Sequence, residues 1–257
     1  IVDFDGDGRR DIIGSDRYGT NARVVWFRNI GTDQVPVFST REVYPLQTHD
    51  GKDISNPNRG WLLTTAACDW DGDGLLDLLV GGWCRYLTFH QNIGSARQPV
   101  FATGRTILDA KIFPGLDYGR SADTPYQGVF IEPCDWDGDG MLDLLCGSYL
   151  RGRIFFLRGT GRDAQGLPVL SAPVALAAGE REIDFLVHGK PSVGDWDGDG
   201  DLDLISGQYY QESTPARQTG AFGAYLFENT GNRTQPVLST GVHLRDIQGE
   251  LVWTGFH

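Results

Sequence analysis

An acidic hexapeptide that occurs four times constrains the fold of this chain more than any other feature. The segment Asp3-Phe4-Asp5-Gly6-Asp7-Gly8 recurs, with Trp in place of Phe, from Asp69, Asp135 and Asp195, at spacings of 66, 66 and 60 residues. A nearly fixed period of this length indicates a repeat architecture, in which each copy is one supersecondary unit. We name the four acidic segments loops 1 to 4: residues 3–11, 69–77, 135–143 and 195–203.

The sequence after each loop is that of a small β-sheet. An Asp and an apolar run come first, as in residues 77–81, and a second strand follows, as in residues 86–89. A turn containing Gly then leads to a third strand, which we expect to open at Pro36, Pro99, Pro168 and Pro236. A further strand immediately precedes each loop, as at residues 129–132. Four short strands per copy are typical of a propeller blade, and no long segment has a sustained helical period.

We therefore predict an all-β fold, with one β-propeller repeat domain over residues 1–257 and repeats that begin near residues 1, 67, 133 and 193. Counting from Asp195 past His257 to Asp3 gives 65 residues, in phase with the internal spacings. In one interpretation, residues 251–253 complete the first blade of a closed ring. In the other, the chain is a fragment of a larger propeller of about seven blades. The start of the chain inside a strand favours the second interpretation.

Composition narrows the class of protein further. The chain has 35 glycines and one methionine, which favours turns and strands over helices. No stretch approaches the roughly 18 consecutive apolar residues of a membrane span, so none is expected. The chain has 22 Lys and Arg against 34 Asp and Glu, and the formal net charge of −12 disfavours a nucleic-acid partner.

The carboxylates of each loop fall at positions 1, 3, 5 and 9, and this spacing predicts a calcium site. Four carboxylates within nine residues repel one another strongly unless a cation is present. Glycines at positions 4 and 6 let the backbone turn sharply, and hard oxygen ligands in a flexible loop select Ca²⁺ over Mg²⁺. About four structural Ca²⁺ ions are expected, with the ligands Asp3, Asp5, Asp7 and Asp11; Asp69, Asp71, Asp73 and Asp77; Asp135, Asp137, Asp139 and Asp143; and Asp195, Asp197, Asp199 and Asp203.

Of two alternatives to this calcium site, the sequence excludes one and leaves the other open. An EF-hand begins in the same way but needs a bidentate Glu at position 12, which is excluded because that position holds Gly14, Val80, Cys146 and Ser206. A solvated acidic turn without metal is the plain alternative. A calcium load of this size suits the millimolar calcium outside cells, so we expect a secreted, periplasmic or cell-surface protein.

The four cysteines have no metal-ligand spacing such as Cys-x-x-Cys. Cys68 and Cys134 directly precede loops 2 and 3 at equivalent positions of neighbouring repeats. Equivalent positions predict core packing, so we expect reduced, buried thiols here rather than disulfide bridges.

The motif Asp-Trp-Asp-Gly-Asp-Gly-x-x-Asp-Leu-Leu-x-Gly, at residues 69–81 and 135–147, resembles the FG-GAP or VCBS repeat of integrin-α-type β-propellers. The resemblance spans essentially the whole chain. It implies a propeller, often seven-bladed in that family, with Ca²⁺ held on the rim between the first and second strands of a blade. It also implies that the aspartates at positions 1, 3, 5 and 9 are ligands in all four repeats. The family includes lectins, adhesion proteins and polysaccharide lyases, so the fold alone does not choose a function.

Aromatic and cationic side chains gather in the segments that a propeller would place opposite the acidic loops. Ligand sites favour such loops on a rigid scaffold. Aromatic rings stack on sugars, and arginine forks hold carboxylate or sulfate groups, whereas the alternative is that these side chains only cover blade edges. The predicted substrate-binding residues are Arg59, Trp61, Trp83, Arg85, Arg120, Tyr126, Arg151, Tyr210 and Arg217.

These side chains predict an anionic polysaccharide as partner, and β-elimination is the enzymatic hypothesis. That reaction needs a cation beside the uronate, a base for the C5 proton and an acid for the leaving oxygen. Arg, His and Tyr fill these roles in the propeller polysaccharide lyases that the chain resembles. The catalytic candidates are His49, His188, Tyr118, Tyr149 and Tyr209. A non-enzymatic lectin, a protein-adhesion propeller of integrin-α type and a purely structural array are the alternatives, and no sequence feature decides between lectin and lyase.

Overall fold

The computed structural model describes residues 1–16, 19, 22–55, 62–116, 128–208 and 223–252. Within these ranges the chain is all-β, and the only helical element is a 3-10 turn at Ala110–Ile112. None of the described residues forms a helix long and apolar enough to cross a membrane. The chain divides into two compact units: Ile1–Ala110 with Ser121–Val129 and Arg162–Leu167, and Lys111–Arg120 with Phe130–Gly161 and Pro168–His257.

The first unit contains two antiparallel sheets whose strands follow one another in chain order. The first sheet consists of β1 (Ile12–Ser15), β2 (Val24–Asn29) and β3 (Phe38–Pro45), and the second of β4 (Leu63–Cys68), β5 (Asp77–Gly82), β6 (Tyr86–His90) and β7 (Arg105–Asp109). Val2 forms a bridge with Asp11 where Cys68 pairs with Asp77 in the second sheet. The first sheet therefore has the same plan, with Val2 in the place of the innermost strand.

The remaining strands repeat this plan. The third sheet consists of β8 (Val129–Cys134), β9 (Asp143–Ser148), β10 (Leu150–Leu157) and β13 (Val174–Ala175), and Val129, the first residue of β8, pairs with Gly82 of β5. The fourth consists of β17 (Lys190–Gly194), β18 (Asp203–Gln208), β19 (Gly223–Phe227) and β20 (Val242–His243). Shorter elements lie between them: β11 (Gly159–Arg162), β12 (Pro168–Leu170), β14 (Ala177–Ala178), β15 (Arg181–Glu182) and β16 (Asp184–Val187), the last of which pairs with β10.

The second strands of the second and third sheets are buried on both faces. Every residue of β5 and of β9 is buried, which explains why these strands read as continuous apolar runs instead of alternating patterns. Each unit has its own core: Phe4, Val24, Leu78 and Val80 belong to one, and Trp136, Leu145, Ile154 and Leu204 to the other. None of the four cysteines forms a disulfide bond; Cys84 and Cys146 are buried, whereas Cys68 and Cys134 are half-buried.

In the structure we count the strands of a sheet from the one that precedes its acidic loop, so the strand expected to open at the Pro-Val pairs is the fourth, outer strand. This outer strand begins later than the sequence predicts. It does not open at the Pro-Val pairs but at Phe38, Arg105, Val174 and Val242. An asparagine is the reason, because Asn92 Oδ1 accepts hydrogen bonds from the backbone N–H of Gly94 at 3.0 Å and of Val100 at 3.2 Å. Asn29 and Asn229 make the equivalent pairs. The Pro-Val segment is therefore the end of a turn in these three sheets, whereas in the third it forms β12.

The aromatic residue at position 2 of an acidic loop packs against the next sheet of its unit. The ring of Phe4 stacks on Phe101 with centroids 6.1 Å apart, and Trp136 lies in one cluster with Leu238. Phe101 and Leu238 both follow a Pro-Val pair. Trp196 of loop 4 is 56% exposed, in contrast to Trp136 at 3%. Burial of this aromatic is thus supplied by the neighbouring sheet and not by its own loop.

Residues 251 and 252 pair within the fourth sheet. Val252 donates its N–H to Leu244 O at 3.0 Å, and its carbonyl accepts from Ala224 N at 2.9 Å. Ile54 makes the same two contacts, at 2.8 Å each, with Leu46 and Val24 in the first sheet. Trp253 lies outside the described residues.

Candidate functional sites

Three carboxylates converge in each acidic loop. Loops 2 to 4 join the first strand of a sheet to its second strand, and the tight curve needs glycine, since Gly72 and Gly74 have φ of 81° and 88°. One oxygen from each member of a trio lies within 4.8 Å of the others, and the trios are Asp3, Asp5 and Asp11; Asp69, Asp71 and Asp77; Asp135, Asp137 and Asp143; and Asp195, Asp197 and Asp199.

The position-9 aspartate ties its loop to the third strand of the sheet. Asp77 is fully buried; its Oδ2 accepts from Trp70 N at 3.0 Å and its Oδ1 from Asn92 N at 2.7 Å. Asp11, Asp143 and Asp203 accept equivalent pairs of bonds. Burial raises the pKa of Asp77 to about 6. Because a raised pKa means that the charged form is disfavoured, a cation is the natural complement to this buried carboxylate.

Several loop oxygens are buried without a hydrogen-bond partner, and their chemistry fits Ca²⁺. They are Oδ1 of Asp5, Asp135, Asp137 and Asp201. A buried carboxylate oxygen without a donor is costly, and native proteins satisfy such groups with hydrogen bonds, water or ions. Convergent carboxylate oxygens are the ligands that Ca²⁺ prefers. The residues that would hold the ion are therefore those of the four trios.

Loop 1 has two arginines among its carboxylates. Arg28 Nη2 lies 2.8 Å from Asp5 Oδ2 and 3.0 Å from Asp7 Oδ2, and Arg9 also pairs with Asp7. The hydrogen bond from Arg9, joined by that from Arg28, lowers the pKa of Asp7 to about 2. The charges of Asp5 and Asp7 in loop 1 are thus partly balanced by Arg28 and Arg9.

Loop 3 is also paired with two arginines, one of them, Arg158, at the position equivalent to Arg28. Arg158 Nε lies 2.6 Å from Asp137 Oδ2, and its Nη2 lies 2.9 Å from Asp139 Oδ2. Arg233 Nη2 lies 3.2 Å from Asp135 Oδ2. Sequence reasoning missed these arginines, although Arg28 and Arg158 hold equivalent places at the end of the third strand of their sheets.

Loops 2 and 4 differ at that position. Gln91 Nε2 donates to Asp71 Oδ2 at 2.6 Å, so in loop 2 an amide contacts the carboxylate that an arginine contacts in loops 1 and 3. The Arg162 guanidinium reaches this loop at the carbonyl of Trp70, at 3.0 Å. The fourth repeat has Glu228 there, and a fifth aspartate, Asp201, at position 7. Burial, and then the charges of its neighbours Asp199 and Asp203, raise the pKa of Asp201. Among the described residues, ion pairs reach the carboxylates of loops 1 and 3 only.

Three of the predicted glycan-site residues meet in the second unit. The rings of Tyr149 and His188 lie 4.4 Å apart, and His188 N donates to Tyr149 O at 2.9 Å. Arg151, two residues along, has a 58% exposed side chain and pairs with Asp184 at 2.8 Å. Arg151 and His188 have φ of 63° and 57°, and no other non-glycine residue in the described ranges has positive φ. Such conformations cluster at functional sites.

His188 is 3% exposed, and its environment fixes its protonation state. Burial, and then the charge of Lys190, lower its pKa to about 3. The imidazole is therefore neutral at physiological pH, which suits hydrogen bonding but makes it a weak base.

The other predicted residues divide between the first unit and the undescribed segments. His49 is exposed on the turn after β3. Arg85 is bound to Asp109, with Nε to Oδ1 at 2.6 Å, and stacks on Tyr86 at 4.8 Å, so it is held within its own sheet beside Trp83. The predicted residues outside the described ranges are Arg59, Trp61, Tyr118, Arg120, Tyr126, Tyr209, Tyr210 and Arg217.

The sheets and their acidic loops define a class of protein, the β-propellers built from blades with an Asp-rich loop between the first and second strands. Residues 3–80 and 135–206 match the family model described as FG-GAP-like repeat. Each matched segment contains two acidic loops, and together they cover more than half of the chain. The chain belongs to the FG-GAP-like repeat family, as its motif predicts. No curated protein matches the chain significantly.

Proposed function

We propose that this chain is a calcium-stabilised β-propeller domain that binds an anionic polysaccharide outside the cell or in the periplasm. The calcium part rests on one observation: every acidic loop gathers three carboxylates, and loops 1, 3 and 4 contain buried oxygens that lack a partner. Ca²⁺ would neutralise these groups and stabilise the folded chain by binding it in preference to the unfolded chain. The calcium demand also supports an extracellular or periplasmic location.

Calcium removal tests this part. Thermal unfolding is followed in 1 mM Ca²⁺, in excess EGTA, and in EGTA with Mg²⁺ added. If Kd is about a hundredfold below the free calcium concentration, each occupied site adds about 2.7 kcal/mol, which gives a large fall in Tm on chelation. Mg²⁺ should restore little of it, because it demands tighter octahedral geometry. An unchanged Tm in EGTA, with no calcium bound at equilibrium, would contradict the proposal.

The polysaccharide part is supported by the grouping of Tyr149, Arg151 and His188. Arg151 is exposed enough to meet a ligand carboxylate, and Asp184, the residue it pairs with in the described part of the chain, could exchange for one. Tyr149 lies two residues before Arg151 and would offer a ring face, while the buried ring of His188 packs against Tyr149. The positive φ of Arg151 and His188 shows that the backbone is held in a costly conformation at this point.

Binding is favoured over β-elimination because of the state of His188. A base with a pKa of about 3 is far from the operating range of a neutral-pH lyase, and the buried ring would need to become charged during the reaction. The lyase hypothesis is therefore the second candidate, and within the described residues it would depend on His49 or Tyr149. A protein ligand of the kind bound by adhesion propellers is a third outcome of the same test.

The test measures binding and turnover together. The protein, in saturating Ca²⁺, is titrated with uronic-acid polysaccharides and with a neutral glucan, while ultraviolet absorbance reports any unsaturated product. We expect binding of the acidic polymers without absorbance, weakened by Arg151→Ala. Arg10→Ala is the matched control, since Arg10 is similarly exposed and also pairs with a single aspartate. Rising absorbance would favour the lyase, and no binding of any polymer would refute the glycan proposal.

A further inference from the structure

The four acidic loops are equivalent in backbone and aspartate spacing, yet the side chains around them differ in charge. One difference lies at a position near the end of the third strand, directly before the residue whose N–H bonds to the position-9 aspartate. That position holds Arg28, Gln91, Arg158 and Glu228 in the four repeats. It is the point from which a side chain reaches the carboxylates at positions 3 and 5.

In loops 1 and 3 the arginine binds one oxygen, Oδ2, of the aspartate at position 3 and does not contact the other, Oδ1. Arg28 binds Oδ2 of Asp5, whereas Oδ1 of Asp5 is buried and has no partner. Arg158 binds Oδ2 of Asp137, whereas Oδ1 of Asp137 is likewise buried and has no partner. The guanidinium therefore does not fill the place of an ion. It adds a positive charge directly behind one carboxylate of the trio, Asp5 in loop 1 and Asp137 in loop 3.

In loop 2 a neutral amide takes the place of this arginine, since Gln91 bonds to Asp71. Loop 2 also has a cation nearby, because Arg162 Nη1 donates to Trp70 O at 3.0 Å, and loop 3 has a second one in Arg233, which pairs with Asp135. The comparison of loops 2 and 3 therefore isolates the exchange of Gln91 for Arg158. In loop 4 the position is acidic, and Asp201 adds a further carboxylate whose Oδ1 is buried without a partner. The negative charge that faces a cation thus increases from loops 1 and 3, through loop 2, to loop 4. A guanidinium roughly 5 Å from a divalent ion weakens its binding by on the order of tenfold even in a water-like dielectric.

We infer that the four loops form two classes of calcium site, with loops 2 and 4 binding tightly and loops 1 and 3 binding weakly because Arg28 and Arg158 act as built-in counterions. The inference rests on the proposed calcium function and deepens it. Loops 1 and 3 retain a neutralised carboxylate cluster when calcium is scarce, whereas loops 2 and 4 depend on the ion.

Reciprocal substitutions between loops 2 and 3 test the inference. Gln91 and Arg158 occupy equivalent positions, so each variant introduces a residue that the other loop already accommodates. Calcium binding is measured by isothermal titration with the wild type, Arg158→Gln and Gln91→Arg. The wild type should show two tight and two weaker sites. Arg158→Gln should move one weak site to the tight class, and Gln91→Arg should weaken one tight site about tenfold. Arg245→Gln is the control, since the Arg245 side chain bonds to the carbonyl of Gly249 within its own turn and contacts no acidic loop among the described residues.

The possible failures are distinguishable. Absence of calcium binding at every loop would overturn the proposed calcium function itself. Four equal sites, or affinities that neither reciprocal variant changes, would overturn only the division into two classes. Circular dichroism of each variant in 1 mM Ca²⁺ checks that a lost site does not reflect a lost fold.

Discussion

The asparagine that follows the third strand gives the sharpest test of how the blades are held together. We consider Asn92→Ala, because Asn92 is 2% exposed and its Oδ1 accepts from the N–H groups of Gly94 and Val100. The backbone N–H of Asn92, which bonds to Asp77, is unchanged by the substitution. The variant therefore removes the turn contacts and leaves the acidic loop intact.

The expected cost follows from these two bonds. A neutral hydrogen bond contributes about 1 kcal/mol net, and a donor left without an acceptor in a partly buried place costs more than one left in water. We expect Asn92→Ala to lower the free energy of unfolding by about 2 to 3 kcal/mol. Ser95→Ala is the control in the same turn, because Ser95 Oγ accepts one exposed bond from Gln98 N, and its loss should cost less than about 0.5 kcal/mol.

Urea unfolding, followed by tryptophan fluorescence, measures both variants in 1 mM Ca²⁺ and in EGTA. Since the turn contacts involve no metal ligand, the loss for Asn92→Ala should be the same in the two conditions. A loss no greater than that of Ser95→Ala would refute the idea that the side chain shapes the turn. A loss that appears only in Ca²⁺ would show instead that Asn92 acts through the metal site.

Three further predictions concern the burial of a tryptophan, the ionisation of a buried carboxyl group and the room for a side chain at a glycine. Trp136→Ala should cost about 3 to 5 kcal/mol and Trp196→Ala less than about 1 kcal/mol, as calorimetry can show, because the first ring is 3% exposed and the second 56%. Burial raises the pKa of Glu132 from 4.5 to about 7, so its ionisation costs stability as the pH rises through this range. Glu132→Gln should therefore raise Tm relative to wild type at pH 8 and leave it unchanged at pH 4; a gain at pH 4 would contradict the assignment. Gly147→Ala should prevent soluble expression, since its Cβ would lie 1.7 Å from Gly189 O, whereas Gly14→Ala, with no atom within 4 Å, should express normally.

The repeat made much of the fold predictable. Copies of one acidic motif with a common period indicated blades, and the position of the aspartates placed the carboxylate clusters between the first and second strands. These features are local, since a loop of nine residues contains its own glycines, carboxylates and aromatic residue. The outer strands were predicted too early, because an asparagine side chain that bonds across eight residues is not visible in a strand propensity.

The chemistry of the sites was decided by the tertiary structure. Arg28 is 21 residues from Asp7, and only the pairing of β1 with β2 brings its guanidinium to loop 1. His188 was a candidate base from its sequence position, but packing against Tyr149 and Phe130 buries the ring and holds it neutral. By itself, the sequence determined the blades and the spacing of their carboxylates, because those depend on neighbours along the chain. Charge balance and protonation depend on groups brought together through space, and for these the strand register was decisive.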